Sequence, residues 1–447
     1  MHQTLLSDFA QMGIARLQND DAVLFQLLAK EYDRQNSVLA MIASSSVADP
    51  SVLACEGMVT GNVTTEGYPG ARFHAGCEFV DQIEEIAIER ACQAFGAQYA
   101  NVQPHSGSSA NEVILFSLLQ PGDTILGLDL DAGGHLTHGS RASVSGRYFR
   151  SVGYGLTPES LIDYDQVRDL ARQHRPRLII SGASAYPRAI DFRRFREIAD
   201  EVGAYLLADI SHIAGLVVAG EHPSPIDCAH FTTTSTYKQL FGPRGGLILM
   251  GKDHVLPGPD GRKTLAEFVQ KAVFPAFQGT PHLSSIAAKA RALAMVMTPE
   301  FRALARRIVT HSQDLARCLV DAGHHVITGG SDNHIVMVNV LQNGVTGVVA
   351  ERALEECGII INKNKIPGDK MPAHITSGIR IGTNTLALRG FGAEEIRRCA
   401  EMLHRVLCCV DVTGPASYDL DPALAALVRA EVAELCRRFP LPYYPMS

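Results

Sequence analysis

Between positions 52 and 293, short apolar runs at 124–128, 178–180, 205–208 and 246–250 alternate with stretches whose apolar residues recur at helical spacing. Runs of this length suit strands buried on both faces, and the helices between them supply the crossovers that parallel strands need. The pattern predicts a mostly parallel α/β sheet with its working residues at the strand carboxyl ends. After Met295 it changes. A long helical stretch over 299–322, strand-like runs at 324–327 and 335–340, and a helix over 347–357 predict a smaller α+β domain. Ahead of the sheet, Val23, Leu24, Leu27 and Leu28 give positions 20–36 one apolar helical face. The expected division is a helical arm over 1–50, a large domain over 51–295, and a small domain over 296–447 with a helical tail. In that tail, 421–439, Leu424, Leu427 and Val428 need burial, which favours a subunit-packing arm over a free surface helix.

The chain has 447 residues, too many for one ordinary core, which agrees with two domains. Its net charge is −7 and its lysines and arginines are dispersed, so nothing favours nucleic acid as a partner. Ten cysteines form no Cys-x-x-Cys pair. They read as reduced and mostly buried apolar residues of a cytoplasmic protein, and no metal site is expected. The amino terminus lacks a basic flank with an apolar core, and no stretch reaches the length of a membrane span, so neither export nor a membrane partner is expected.

Candidate chemistry concentrates in three segments. Lys238 lies among small hydroxylic residues, Thr232 to Thr236, and a glycine-rich turn ending at Gly246. Burial there disfavours the ammonium form and leaves a nucleophilic amine near neutral pH, suited to an aldehyde such as that of pyridoxal phosphate. Asp209 ends an apolar strand, with His212 three residues on. A carboxylate so placed can keep a pyridine nitrogen protonated. Ser106, Gly107 and Ser108 precede a helical pattern, an arrangement of free N–H groups and hydroxyls that suits a phosphate.

These segments occur with longer ones: Glu66-Gly-Tyr-Pro-Gly70, Gly76-Cys-Glu-Phe-Val-Asp81, Gly133-Gly-His-Leu-Thr-His-Gly139, Gly182-Ala-Ser-Ala-Tyr186 and Thr376-Ser-Gly-Ile-Arg380-Ile-Gly-Thr383. Together they resemble the serine hydroxymethyltransferases, fold-type I pyridoxal-phosphate enzymes, over roughly 30–410. The resemblance implies a seven-stranded-type, mostly parallel sheet in the large domain, a homodimer or tetramer whose amino-terminal arm crosses to the partner, and tetrahydrofolate as cosubstrate. It makes Lys238 the residue that binds the cofactor covalently and Asp209 the partner of its ring nitrogen. His212 is set near its 3′-oxygen and His135 over its ring, while His138 orders the loop. Ser106, Gly107, Ser108, Ser184 and Gly279 are implied as further cofactor contacts. Arg380 is implied to grip the substrate carboxylate and Glu66 to act as acid or base at the hydroxymethyl group. Ser44, Thr64, His74 and Tyr237 are assigned to the substrate side, and Leu130, Gly134, Leu136 and Asn364 to the folate.

Several positions depart from the family pattern. Thr64 stands where a tyrosine leans in from the neighbouring subunit, Phe73 and His74 replace paired tyrosines, and Ser45-Ser46 replace an acid and an asparagine. Tyr237 replaces a histidine, and Ala276-Phe277 replace a glycine pair. The leading expectation is serine/glycine interconversion with tetrahydrofolate, through making or breaking the Cα–Cβ bond of a β-hydroxy-α-amino acid. A roomier pocket keeps α-methylserine (D-alanine) hydroxymethyltransferase or aldolase chemistry, and threonine transaldolase chemistry, as alternatives. A weakly active cofactor-binding regulatory protein is the alternative outside enzymes.

Overall fold

A computed structural model describes residues 2–446 of the protein. The central sheet has seven strands: β1 Tyr99–Asn101, β2 Thr124–Leu128, β3 Arg150–Tyr154, β4 Leu178–Ser181, β5 Tyr205–Asp209, β6 Phe231–Ser235 and β7 Gly246–Met250. Their order is β1-β7-β6-β5-β4-β2-β3. Strands β2 to β6 are parallel to their neighbours among themselves, whereas β7 runs antiparallel to both β6 and β1. All four runs marked by the apolar pattern are strands. β6 is the informative addition, because Phe-Thr-Thr-Thr-Ser is polar yet wholly buried. β-Branched threonine fits a pleated strand, and two hydroxyls find partners: Thr233 Oγ1 donates to Asn111 Oδ1 and Thr234 Oγ1 to the Ser235 carbonyl.

Helices cover the sheet for reasons visible in their ends and faces. In Phe192–Val202, the Asp191 side chain accepts from the backbone N–H groups of Arg193 and Arg194, and Gly203 closes the helix at φ 70°, where a side chain would be strained. Its buried face is Phe192, Phe195, Ile198 and Ala199. Removing each large apolar side chain from water contributes about 1.5–3 kcal/mol.

A second, antiparallel sheet consists of β8 His325–Val326, β9 Ile335–Asn339, β10 Asn362–Asn364 and β11 Gly378–Gly382, in the order β8-β9-β11-β10. Helices Pro299–Asp321, Gly347–Glu356 and Ala393–Cys409 belong to this part of the chain. Ile379 and Ile381 of β11 are fully buried in its core. Alternation along the strand sends Arg380 to the opposite face.

Three expectations need correction. The amino-terminal arm begins with two helices, His2–Asp20 and Ala22–Ser37, with the Asp21 carboxylate capping the second through Leu24 N–H. Only the second was anticipated, because the first has a weak apolar stripe. Leu5, Phe9, Met12, Val23 and Leu27 on this pair are exposed. The tail helix Pro422–Arg438 buries Ala425, Val428, Val432, Leu435 and Cys436, but Leu427 stays 53 % exposed. The helix packs against its own chain. All ten cysteines are free, and Cys77, Cys357, Cys399 and Cys436 are buried, whereas Cys408 and Cys409 are exposed. Among the described residues no helix is long and apolar enough to cross a membrane.

Candidate active site

The parallel strands end in a cavity of about 330 Å³, within the size range of small-ligand sites. Ser106, Gly107, Ser108, His135, Ser184, Asp209, His212, Tyr237 and Lys238 all line it. Nine residues named from dispersed segments are therefore brought together by the ends of β5 and β6 and the loops beside them. Ser106 caps the helix Gly107–Leu118, its hydroxyl accepting from Ser109 N–H. Gly107 is closely surrounded, since a Cβ there would stand 3.0 Å from Ser211 Oγ and 3.1 Å from Ser235 N and would crowd both. The cradle packs directly on the turn after β5 and the end of β6.

Asp209 is the best-connected group. Its Oδ2 accepts from Asn111 Nδ2 at 2.8 Å and His138 Nε2 at 3.1 Å, and its Oδ1 accepts from Ser211 N–H at 2.9 Å. Burial alone would raise its carboxyl pKa, but the His138 and Ser211 hydrogen bonds and the His138 and His135 rings outweigh it, and the net shift is downward. The His138 ring is fixed from its other side, where Nδ1 accepts from the His135 N–H at 3.3 Å, leaving Nε2 to carry the proton that Asp209 receives. His138 is thus a direct partner of the acid and not only a loop-ordering residue. Asn111 is a second partner that the sequence did not reveal. Its Nδ2 also donates to Thr137 Oγ1 at 2.9 Å.

Lys238 is 7 % exposed. Burial pulls its pKa down to about 8; Asp209 opposes that shift, and Arg380 and Arg244 add to it. Burial also lowers His135 to about 4 and His212 well below the usual imidazole range, the latter helped by Lys238 and Arg380. Both rings are neutral at pH 7. His212 stacks on His334 with centroids 5.6 Å apart.

Arg380 hydrogen-bonds the Ser184 carbonyl through Nη1 and Asn362 Oδ1 through Nε at 3.1 Å. No hydrogen bond among the described residues engages Nη2. Burial lowers the guanidinium pKa to about 10, still fully charged at neutral pH. Tyr237 lies under Arg244, whose Cζ is 3.8 Å from the ring centroid, and the Ser46 hydroxyl donates to the Tyr237 carbonyl. Two of the replaced positions, Ser46 and Tyr237, therefore contact each other. Lys289, also unanticipated, buries its Nζ against the carbonyls of Val102, Pro104 and Gly246 at 2.6, 3.1 and 3.1 Å. Three acceptors call for the ammonium form, although burial lowers its pKa to about 7. It ties together the loop leading to Ser106 and the start of β7.

Other named residues do not line this cavity. Glu66 Oε1 lies near Gly279, 3.3 Å from where a Cβ would stand on that glycine. Thr64 and His74 are exposed, and Phe73 meets Phe274 edge to face at 5.6 Å. Ser44 is half-buried beside Ala43, whose carbonyl hydrogen-bonds His334 and Asn384. Leu130 and Leu136 are exposed on two short turns flanking Gly134. A Lys365–Asp131 ion pair at 2.9 Å connects these turns to the end of β10, where Asn364 sits.

The family model described as Serine hydroxymethyltransferase matches residues 17–403. A "Serine hydroxymethyltransferase" of Synechococcus sp. (strain JA-3-3Ab) is 48% identical, covering 97% of this chain and 98% of its own. A "Probable serine hydroxymethyltransferase" of Rickettsia bellii (strain RML369-C) is 46% identical over 95% of this chain and 98% of its own. A "Serine hydroxymethyltransferase" of Paramagnetospirillum magneticum (strain ATCC 700264 / AMB-1) is 47% identical over 95% and 96%.

Proposed function

The chain belongs to the serine hydroxymethyltransferase family, and from that premise we propose that it interconverts serine and glycine with pyridoxal phosphate as cofactor and tetrahydrofolate as cosubstrate. The α-methylserine, threonine and regulatory alternatives draw no support from its relatives, which are named as serine hydroxymethyltransferases. The observation that carries the reading is one cavity holding a buried amine of lowered pKa, a buried ionised carboxylate and a hydroxyl-lined helix start.

The residues present fit the cofactor. Asp209 takes three hydrogen bonds, yet no lysine or arginine pairs with it among the described residues, so a protonated ring nitrogen of the cofactor would match its charge. Ser106, Gly107 and Ser108 are suited to the phosphate, Lys238 to the aldehyde, and the neutral His135 and His212 to the ring and its oxygen. When bound, pyridoxal phosphate supplies an electron sink conjugated to the substrate Cα. Arg380 offers Nη2 to the substrate carboxylate, which fixes the rotation about Cα and so the bond that breaks. Glu66 moves the proton at the hydroxymethyl oxygen. Leu130, Gly134, Leu136 and Asn364 form the folate rim.

Glu66 and Thr64 lie outside the cavity lining of their own chain, and the helices at the amino terminus expose an apolar face. Both facts support a homodimer in which each protomer completes its partner's site. A solution mass of a single 48.3 kDa chain would sink that assembly.

Lys238 provides the test of the site. The neutral amine is the nucleophile, and its pKa is depressed to about 8. Cofactor capture by the apoenzyme should accelerate as pH rises through about 8 and level off above it, and borohydride should lock the cofactor's mass onto the peptide carrying Lys238. A flat profile between pH 6 and 9, or a label on another lysine, would refute the assignment.

A further inference from the structure

Far from the cofactor cavity in sequence, three side chains of metal-ligating type converge at the edge of the second sheet. His324 follows the helix Pro299–Asp321, and His404 and Cys408 stand one turn apart on the helix Ala393–Cys409. Spacing of i and i+4 puts the last two on one helix face. His324 Nε2 is 3.1 Å from His404 Nδ1, and Cys408 Sγ is 3.6 Å from that same Nδ1. The three ligand atoms lie within 4.8 Å of one another.

We propose that His324, His404 and Cys408 form a binding site for a borderline divalent transition metal, Zn²⁺ foremost, that clasps these two helices together. Zinc binds imidazole nitrogen at about 2.0–2.1 Å and thiolate at about 2.3 Å. Tetrahedral angles then put two nitrogens roughly 3.3 Å apart and nitrogen and sulfur roughly 3.6 Å apart, close to the separations found. One nitrogen pair and one thiol within ligand spacing thus need little rearrangement to receive the ion.

The chemistry of the donors agrees. Two imidazole nitrogens and one cysteine sulfur are a donor set that Zn²⁺ takes and hard cations do not. The edge-to-face packing of the two rings, 79° between planes, points ring nitrogens at each other and not at a shared solvent shell. Cys408 is a thiol at neutral pH. On binding, its S–H proton passes to solvent as the Zn–S bond forms, and the proton shared between His324 and His404 moves to the other nitrogen of its own ring, so that two Zn–N bonds replace that hydrogen bond. Three protein ligands leave the fourth position to water, so the ion exchanges with solution. Hard cations such as Mg²⁺ prefer oxygen donors and are excluded. Cys409, the next residue, points elsewhere on the helix and is the internal control.

The test is competition for Zn²⁺ between reduced, chelator-washed holoenzyme and a chromophoric chelator. We expect one tight equivalent per chain that Mg²⁺ does not displace, with a higher Tm in Zn²⁺ than in chelator. Cys408→Ser and His404→Ala should each weaken it by about 100-fold or more, since even residues supporting a metal ligand typically change affinity 10–100-fold. Cys409→Ser should bind like the parent. Cys408 is exposed, so its replacement by serine leaves folding intact, and serine turnover should be unchanged in all three variants. Equal Zn²⁺ affinity in the parent and Cys408→Ser proteins, or an equal loss in Cys409→Ser, would overturn the site.

Discussion

Replacing Lys238 by alanine should lower serine turnover on the order of 10²–10⁴-fold, while cofactor still binds without a covalent link. The lysine is buried, its amine is driven toward the neutral form, and no other lysine among the described residues lines the cavity. The hydrogen bonds of Asp209 and the cradle at Ser106 do not depend on it, so the cofactor keeps its anchors. A Glu66→Gln protein should also be inactive. Denatured and refolded together, the two inactive proteins should regain roughly a quarter of parental activity, because half of the dimers pair unlike chains and each of these has one intact site. Steady parental turnover in Lys238→Ala would remove the residue from the mechanism. A mixture as inactive as its parts would remove the shared site.

Arg380→Ala should cost about 2–5 kcal/mol in kcat/KM, roughly 30- to 5000-fold, the range for truncating one partner of a buried charge pair. Burial matters here, because a guanidinium with its pKa lowered to about 10 is poorly solvated and binds a carboxylate strongly. Two of its donors are committed to Ser184 and Asn362, which fixes the fork before substrate arrives. Arg380→Lys retains charge but not the fork and should fall between parent and Arg380→Ala. Amines that lack the α-carboxylate should bind equally to the parent, Arg380→Ala and Arg380→Lys proteins. Near-parental kcat/KM for serine in Arg380→Ala would contradict the role.

The parts of this account legible in the sequence share one property: each rests on contiguous residues. Asp209 at the end of an apolar run, Lys238 after a hydroxylic one, and Arg380 between two isoleucines carry their context with them, and the fold puts the first two at one cavity as strand polarity requires. His138 and Asn111 carry no such mark. Their contacts with Asp209 span 71 and 98 residues and exist only once the helix Gly107–Leu118 and the loop after β2 meet at β5. Nothing beside Lys289 in the helix Leu283–Val296 singles it out, and only the fold sets three carbonyls around it. The cluster of His324, His404 and Cys408 was hidden in the same way. His404 and Cys408 are four residues apart, but His324 lies 80 residues before His404, and only the fold brings it to them.

The central claim is tested most directly by following glycine formed from L-serine by the purified holoenzyme, with and without tetrahydrofolate, beside L-threonine and α-methylserine at equal concentration. The account predicts tetrahydrofolate-dependent turnover of serine that exceeds that of both other amino acids. Turnover of serine at the same rate without tetrahydrofolate, or faster turnover of either competitor, would contradict it.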